Sequence, residues 1–226
     1  MEKTNALYVV ATPIGNLEDI TYRAVSVLKT ADTVFSEDTR QSKKLFDRYQ
    51  ITTLLKSYRD QNHERTLQEI LDMLRQSKTI ALVSDSGTPL ISDPGYKLVR
   101  SVINAGYLAI PIPGPSAVIT SLSASGLPTD KFSFVGFLPK SQGKRTEILK
   151  EFGKLDSTLV IYESPFRVVK LLQEILDTLG DREVCLACEI TKIFEKFERG
   201  RVSELLHKMS TQKIRGEYTV LVSKML

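Results

Sequence analysis

Short apolar runs alternate with amphipathic segments through the first half of the chain, and this alternation limits the possible fold more than any other feature. The apolar runs predict strands at 7–11, 33–35, 53–55, 79–83 and 108–112. The segments between them predict helices at 18–30, 40–49, 64–76 and 95–105. Alternating strands and helices form a largely parallel sheet with helices on its faces. The first half is therefore predicted to be a doubly wound α/β domain.

A rigid turn ends this pattern, because residues 111–115 contain three prolines and one glycine. We therefore predict an N-terminal domain over 1–114 and a C-terminal domain over 115–226. The second half predicts strands at 132–137, 158–162, 184–190, 193–198 and 217–223. It predicts helices at 116–125, 145–152, 166–179 and 202–209. No helix separates the strands at 184–190 and 193–198, which favours antiparallel pairing and a mixed α/β domain.

The composition is that of a soluble globular protein, with 42% apolar and 26% charged residues among 226. No apolar stretch is long enough to span a membrane, and the N-terminus lacks the pattern of a signal peptide. We therefore expect a cytoplasmic location and no membrane partner. The net charge of +4 permits an anionic partner without requiring one.

The two cysteines, Cys185 and Cys188, form a C-x-x-C pattern that raises the question of a metal or redox site. They lie in a predicted strand, where residues three apart point to opposite faces. Their sulfur atoms are therefore not expected to converge. No second cysteine pair is present, and we predict no metal site.

The strand at 79–83 ends in a long loop of small and polar residues that reaches Gly95. In open α/β sheets, ligands bind outside the carboxyl ends of the strands. This loop is therefore predicted to bind a small molecule, with a surface turn as the alternative. The loop at 11–16 also follows a strand, but the chain has neither a G-x-G-x-x-G nor a Walker A motif at these strand ends.

Charged residues follow three other predicted strands. Glu37, Asp38 and Arg40 form either a catalytic or positioning cluster or the start of a helix capped by Asp38 or Thr39, and both can hold. Further polar groups follow strands at 162–167, where a helix start capped by Ser164 is the alternative, and at 189–192, where the alternative is a solvated turn. The basic segment 140–154 is either a solvated face or a mobile loop that follows a phosphate backbone.

Four segments together carry a resemblance to a known family: 7–21, 37–40, 82–95 and 112–117. Residues 162–167, 189–192 and 216–217 reinforce it. On these motifs the chain resembles the tetrapyrrole methylase superfamily over essentially its whole length. Within it, the chain is most similar to the cytidine 2′-O-methyltransferases of small-subunit ribosomal RNA.

The resemblance implies a tetrapyrrole methylase-like (class III methyltransferase) α/β fold, in which S-adenosylmethionine binds in a cleft between two α/β domains. It also implies a homodimer. The implied substrate is the 2′-hydroxyl of a cytidine at the decoding centre of 16S rRNA, within the assembled small subunit. Family members often continue past the position of Leu226 with a basic segment that contributes to RNA binding.

The resemblance also assigns cofactor contacts, because the segment Gly87-Thr88-Pro89 stands where the superfamily has Gly-Asp-Pro. The implied cofactor contacts are Pro13, Asp85, Ser86, Gly87, Thr88, Ile91, Ser116, Ala117, Phe137 and Tyr162. Asp93 is expected to be structural and to cap the helix that begins near Gly95.

Transfer of a methyl group to a hydroxyl needs a group that accepts the proton. Glu37 and Asp38 are the first candidates for this general base, with Asp85 next. Arg40 or Lys192 is expected to hold a phosphate or to lower the pKa of the hydroxyl.

Three alternatives stay open. The first is a methyltransferase of the same fold that acts on a porphyrinoid carbon. The second is a magnesium-dependent phosphohydrolase with Glu37, Asp38, Asp85 and Asp93 as ligands. The third is a non-catalytic RNA-binding module, which the absence of a stacking pattern among the aromatic residues disfavours.

Overall fold

The first unit of the structure contains a parallel sheet. The computed structural model describes residues 5–225, and the chain divides into one compact unit that ends at Ser116 and another that begins at Ala117. The strands of the first unit are β1 (Ala6–Val10), β2 (Thr33–Ser36), β3 (Leu54–Ser57), β4 (Ile80–Val83) and β5 (Leu108–Ile112). Its α-helices are α1 (Tyr22–Thr30), α2 (Thr39–Tyr49), α3 (His63–Arg75) and α4 (Tyr96–Asn104).

The strands of this sheet follow the order β3-β2-β4-β1-β5, and every neighbouring pair is parallel. One face packs Leu28 of α1 and Phe46 of α2 into a buried cluster. The opposite face packs Ile70 of α3 and Leu98 of α4 into another. The prediction of a doubly wound α/β unit is confirmed.

The strand order creates a switch point between β1 and β4. The chain leaves β1 through α1 towards β2, and it leaves β4 through α4 towards β5, so it departs from two neighbouring strands in opposite directions. Right-handed crossovers then place α1 and α4 on opposite faces of the sheet. A crevice opens outside the carboxyl ends of such strands, and this is the usual ligand position in open α/β sheets.

The second unit contains a mixed sheet in the order β6-β7-β10-β8-β9. Its strands are β6 (Phe132–Phe137), β7 (Thr158–Glu163), β8 (Glu183–Cys188), β9 (Lys196–Arg201) and β10 (Tyr218–Val222). Its helices are α5 (Ala117–Ser125), α6 (Gln142–Phe152), α7 (Val168–Leu179) and α8 (Val202–Ser210). The pair β6–β7 is parallel and the other pairs are antiparallel, including β8–β9 as predicted.

Several predicted boundaries are wrong by two to four residues, and local structure explains two of them. The first helix begins at Tyr22 instead of residue 18, because Thr21 caps it by accepting a hydrogen bond from the backbone N–H of Ala24 at 3.1 Å. The second strand of the hairpin begins at Lys196 instead of residue 193. There the turn is tightened by positive φ angles of 50° at Glu189 and 65° at Thr191.

The basic segment 140–154 is largely helical, because α6 runs from Gln142 to Phe152. Arg145 is buried there and bonds through Nε to Oε2 of Glu174 at 2.7 Å. Including Arg145 in a mobile basic loop was therefore wrong. No helix within residues 5–225 is long and apolar enough to cross a membrane.

Candidate active site

The loops that follow β1 and β4 are joined by an isolated two-residue bridge. The N–H of Thr12 donates to the carbonyl of Gly87 at 2.8 Å, and the N–H of Gly87 donates back at 3.1 Å. Gly87 has a φ of +79°, and a Cβ atom there would lie 3.2 Å from Cγ2 of Ile14. Only glycine adopts this backbone without strain. The predicted cofactor residue Gly87 therefore fixes the geometry of the crevice at the switch point.

Buried hydroxyl groups brace the same loops. The Thr12 hydroxyl donates to the Ser84 carbonyl at 3.3 Å, and the Ser84 hydroxyl lies 3.2 Å from the Gly87 carbonyl. Thr88 adds a bond from its hydroxyl to the carbonyl of Pro115 at 3.1 Å, which ties the β4 loop to the segment after β5. Three strand ends are thus held in one rigid arrangement.

A cavity of about 190 Å³ opens beside this bridge. We call it the switch-point cavity; its lining comprises Thr12, Pro13, Ile14, Gly15, Leu17, Gln41, Ser42, Lys44, Leu45, Ser84, Asp85 and Ser86. The structure therefore brings together three predicted cofactor residues, Pro13, Asp85 and Ser86.

The α2 side of the switch-point cavity was missed from the sequence. Ser42 is buried, and its hydroxyl has no hydrogen-bond partner within residues 5–225. Its position offered a signal, because Ser42 precedes Leu45 and Phe46 at the i+3 and i+4 spacing of a buried helix face. A polar residue on such a face needs a partner, and a polar ligand can supply one.

The three candidate bases at the ends of β2 and β4 have different surroundings. Asp38 caps α2 by accepting the N–H of Arg40 at 2.9 Å, and it also bonds the Arg40 guanidinium at 2.6 Å. These bonds hold the pKa of Asp38 well below its ordinary range. Glu37 is half-buried, and its pKa is raised, first by burial and then by the negative charge of Asp85.

Asp93 belongs to the same acidic edge. Burial, opposed by a hydrogen bond with Ser84, raises the pKa of Asp93 to about 6, and the charges of Glu37 and Asp85 add to the rise. The prediction that Asp93 caps α4 is wrong. The N-cap is Gly95, with a φ of +128° and no side-chain cap.

The remaining predicted cofactor residues are spread over both units. Ile91 lies on the β4 loop with 44% of its side chain exposed. Ser116 is half-buried at the end of the first unit, and Ala117 begins α5 of the second. Phe137 and Tyr162 belong to the second unit. Phe137 is the last residue of β6, Tyr162 is the penultimate residue of β7, and their ring centroids are 5.5 Å apart.

Lys192 lies in the second unit on the turn after β8 and is not an unpaired cation. Its ammonium bonds Oε1 of Glu189 and Oε2 of Glu217, both at 2.9 Å. Burial alone would lower the pKa of Lys192, but the two carboxylates together raise it. The structure thus places Lys192 in a local ion-pair network of the second unit, whereas Glu37 and Arg40 belong to the first unit.

The magnesium alternative lacks a ligand set in the part of the chain that the structure describes. There, no three His, Cys, Asp or Glu side chains are arranged so that they could hold a metal ion. Cys185 and Cys188 are both free, and Cys185 is buried.

Comparisons with known proteins agree with this geometry. Residues 6–206 match the family model of the tetrapyrrole (corrin/porphyrin) methylases. A Halalkalibacterium halodurans protein named ribosomal RNA small subunit methyltransferase I is 49% identical over 96% of this chain and 75% of its own length. A Thermotoga maritima protein of the same name is 43% identical over 96% of this chain and 97% of its own length.

A solved structure shows a related fold. The cobalamin biosynthetic enzyme cobalt precorrin-4 methyltransferase, CbiF, matches with a TM-score of 0.69 over 97% of this chain and 95% of that chain. The two sequences are 19% identical, so this likeness supports the fold alone.

Proposed function

Because the chain belongs to the tetrapyrrole methylase family and, within it, to the ribosomal RNA small subunit methyltransferase I family, we propose that it methylates the 2′-hydroxyl of a cytidine at the decoding centre of 16S rRNA. The chain is an S-adenosylmethionine-dependent methyltransferase. The observation that carries the choice of RNA is the 43% identity to a relative of that name over nearly the full length of both chains.

The switch-point cavity fits part of this cofactor. S-adenosylmethionine supplies a methyl group that its sulfonium has already activated. The cavity offers two polar contacts: the hydroxyl of Ser42, which has no hydrogen-bond partner among the described residues, and the exposed carboxylate of Asp85. Its volume of about 190 Å³ is below the range of roughly 300–1,000 Å³ for complete ligand sites. Pro13, Asp85 and Ser86 are therefore proposed to hold only a portion of the cofactor.

The other cofactor residues rest on the family motifs. Gly87 and Thr88 support the assignment through the bonds that fix the loop, and Ile91 presents an apolar surface beside it. Ser116, Ala117, Phe137 and Tyr162 are proposed as contacts on the resemblance, since they occupy the matching motif positions.

Glu37 is our choice for the general base. A base works best when its pKa is close to the working pH, and burial moves the pKa of Glu37 in that direction. Asp38 is already committed to the α2 cap and to Arg40, which makes its carboxylate a weak acceptor. Glu37 is proposed to accept the proton of the 2′-hydroxyl while the methyl carbon would exchange its bond to the sulfonium sulfur for one to the 2′-oxygen, which would leave the sulfur as a neutral thioether.

Arg40 is the better candidate of the two cations for holding a phosphate. Its side chain is 86% exposed, although Asp38 accepts two of its N–H groups. A guanidinium has five N–H donors, so others are available for a phosphate oxygen. Lys192 is proposed to tie the turn after β8 to the start of β10, because one carboxylate partner, Glu189, lies on that turn and the other, Glu217, directly precedes β10.

The wider setting follows from the substrate. We place the reaction in the cytoplasm on the assembled small subunit, where the decoding centre is formed. The homodimer stays a prediction of the resemblance. The porphyrinoid alternative is less favoured, because Glu37, Asp38, Arg40 and Asp85 make the edge near the cavity strongly charged where a macrocycle needs apolar surface.

One labelling experiment tests the proposal. The protein is incubated with S-adenosylmethionine carrying a labelled methyl group and with free 16S rRNA, unmodified small subunits or a porphyrinoid. We expect label on a ribose 2′-oxygen of a cytidine. Label on a porphyrinoid carbon, or none on any ribose, would overturn the proposal.

A further inference from the structure

A second cavity of about 500 Å³ lies beside the first-unit sheet on the face that α3 and α4 cover. We call it the α3–α4 cavity; it is lined by Asp60, Gln61, His63, Glu64, Tyr96, Lys97, Arg100, Ser101 and Asn104. Its volume falls within the range of small-molecule sites. The switch-point cavity shares none of these residues.

One wall carries an exposed aromatic ring and two cations. Tyr96 is 63% exposed at the start of α4. Arg100 lies one turn further and donates from Nη1 to the Tyr96 hydroxyl at 3.3 Å. Neither Lys97 nor Arg100 pairs with a carboxylate among the residues that the structure describes. Both cations are therefore available to an anionic ligand.

The opposite wall carries a buried histidine. His63 is 8% exposed, and its Nδ1 lies 3.0 Å from the hydroxyl of Tyr58. Its other ring nitrogen is not one of the buried atoms that lack a hydrogen-bond partner within residues 5–225, and we find no partner for it there, so it is accessible to solvent or to a ligand.

The lining of the α3–α4 cavity is also linked to the segment of the proposed base. Arg59, next to the cavity residue Asp60, donates from Nε to the carbonyl of Glu37 at 3.2 Å. Asp60 is near enough for its charge to act on Glu37. The cavity is therefore connected to Glu37 through Asp60 and its neighbour Arg59.

We propose that the α3–α4 cavity binds a nucleotide of the RNA substrate that neighbours the methylated cytidine. Its base stacks on Tyr96, its phosphate contacts Lys97 and Arg100, and its base edge meets the amides of Gln61 and Asn104 and the free nitrogen of His63. Single-stranded RNA is usually recognised by this combination of aromatic stacking, cationic phosphate contacts and polar edge contacts. This inference rests on the proposed function and adds a second contact region for the same RNA.

The test compares matched variants on two faces of one sheet. Tyr96→Ala and Arg100→Ala change the cavity, while Tyr22→Ala and Arg23→Ala change an equivalent exposed pair on α1, where Tyr22 is 98% exposed. For each protein we would measure cofactor affinity, affinity for unmodified small subunits at several salt concentrations, and the KM and kcat of methylation.

Tyr96→Ala is expected to weaken RNA binding about tenfold, because stacking on one aromatic ring is lost. Tyr96→Phe should restore the affinity, since the ring remains. Arg100→Ala should reduce the slope of log affinity against log salt concentration by about 1, because one phosphate contact is lost. KM should rise while kcat and cofactor affinity are kept.

The outcomes separate the two proposals. If the wild-type protein does not methylate RNA, the proposed function fails. If the wild type methylates RNA but the cavity variants behave like the α1 variants, the inference about the cavity is wrong while the function stands.

Discussion

The backbone N–H of Asp38 donates a hydrogen bond to Oδ1 of Asp85 at 2.9 Å, and this bond joins the carboxyl ends of the neighbouring strands β2 and β4. It leaves the side chain of Asp38 to cap α2 and to pair with Arg40. It also brings the charge of Asp85 close to Glu37, whose pKa rises. One backbone bond thus helps three carboxylates in the same crevice to take different roles.

Glu37→Gln is expected to lower the single-turnover rate of methylation by roughly 10²–10⁴-fold while cofactor affinity is kept, because the group that accepts the proton is lost. In the wild type, the rate should fall as the pH drops through the raised pKa of Glu37, above its ordinary value of 4.5, since the protonated carboxyl cannot act as a base. The variant should lose this step. Rapid-quench measurements over a pH series check both expectations.

Asp38→Asn serves as the control for that experiment. It keeps a side chain that can cap α2, so it should keep most of the rate. A full single-turnover rate in Glu37→Gln would show that Glu37 is not the base.

Gly87→Ala is expected to lose cofactor affinity, because a side chain at φ +79° strains the loop that shapes the switch-point cavity. Gly106→Ala is the matched control, since Gly106 has a φ of +84° but no atom within 4 Å of the added Cβ. Both should reduce the free energy of unfolding by about 1 kcal/mol. Isothermal titration should show weaker cofactor binding only for Gly87→Ala; equal affinity in the two variants would contradict the assignment.

The fold of the first unit was largely predictable, because buried strands and amphipathic helices leave different apolar periods in the sequence. The family-level fold prediction is also confirmed, since residues 6–206 match the family model and CbiF has a related fold. The start of α1 was not predictable from its apolar face, because Asn16 and Thr21 both cap a helical turn and only Thr21 caps α1. Capping residues alone do not show which of two helical turns extends into a full α-helix.

The candidate site was only partly predictable. Strand ends pointed to Asp85 and Ser86, but Ser42 reaches the switch-point cavity from a helix that is distant in sequence. Arg145 was misjudged for a similar reason, because a charged residue on a helix usually faces water. Its partner Glu174 lies 29 residues away, and no local pattern reveals that pairing.

Glu174→Gln is expected to reduce the free energy of unfolding by about 3–5 kcal/mol, because the buried Arg145 charge loses its partner. Both side chains are at most 7% exposed, so water cannot replace the lost carboxylate. Urea unfolding at pH 7 measures the effect. Lys131→Gln breaks an exposed ion pair of the same unit and should change the free energy of unfolding by less than about 1 kcal/mol. A similar loss of free energy of unfolding in both variants would show that the buried pair stabilises the protein no more than the exposed pair does.

Asp93→Asn is expected to make the protein more stable at pH 7 and to leave its stability at pH 4 nearly unchanged. The pKa of Asp93 is about 6 in the folded state and ordinarily 3.8, so the folded state binds more protons between these values. Stability contributed by the protonated carboxyl is therefore lost as the pH rises through about 6.

Asparagine at position 93 stays neutral and keeps a hydrogen-bonding group towards Ser84. Because Asp93 is only partly buried, solvent screening reduces the gain to about 1 kcal/mol. Urea unfolding at the two pH values measures it, with the exposed Asp19→Asn as control. A gain that is equal at both pH values would show that ionisation of Asp93 does not cause it.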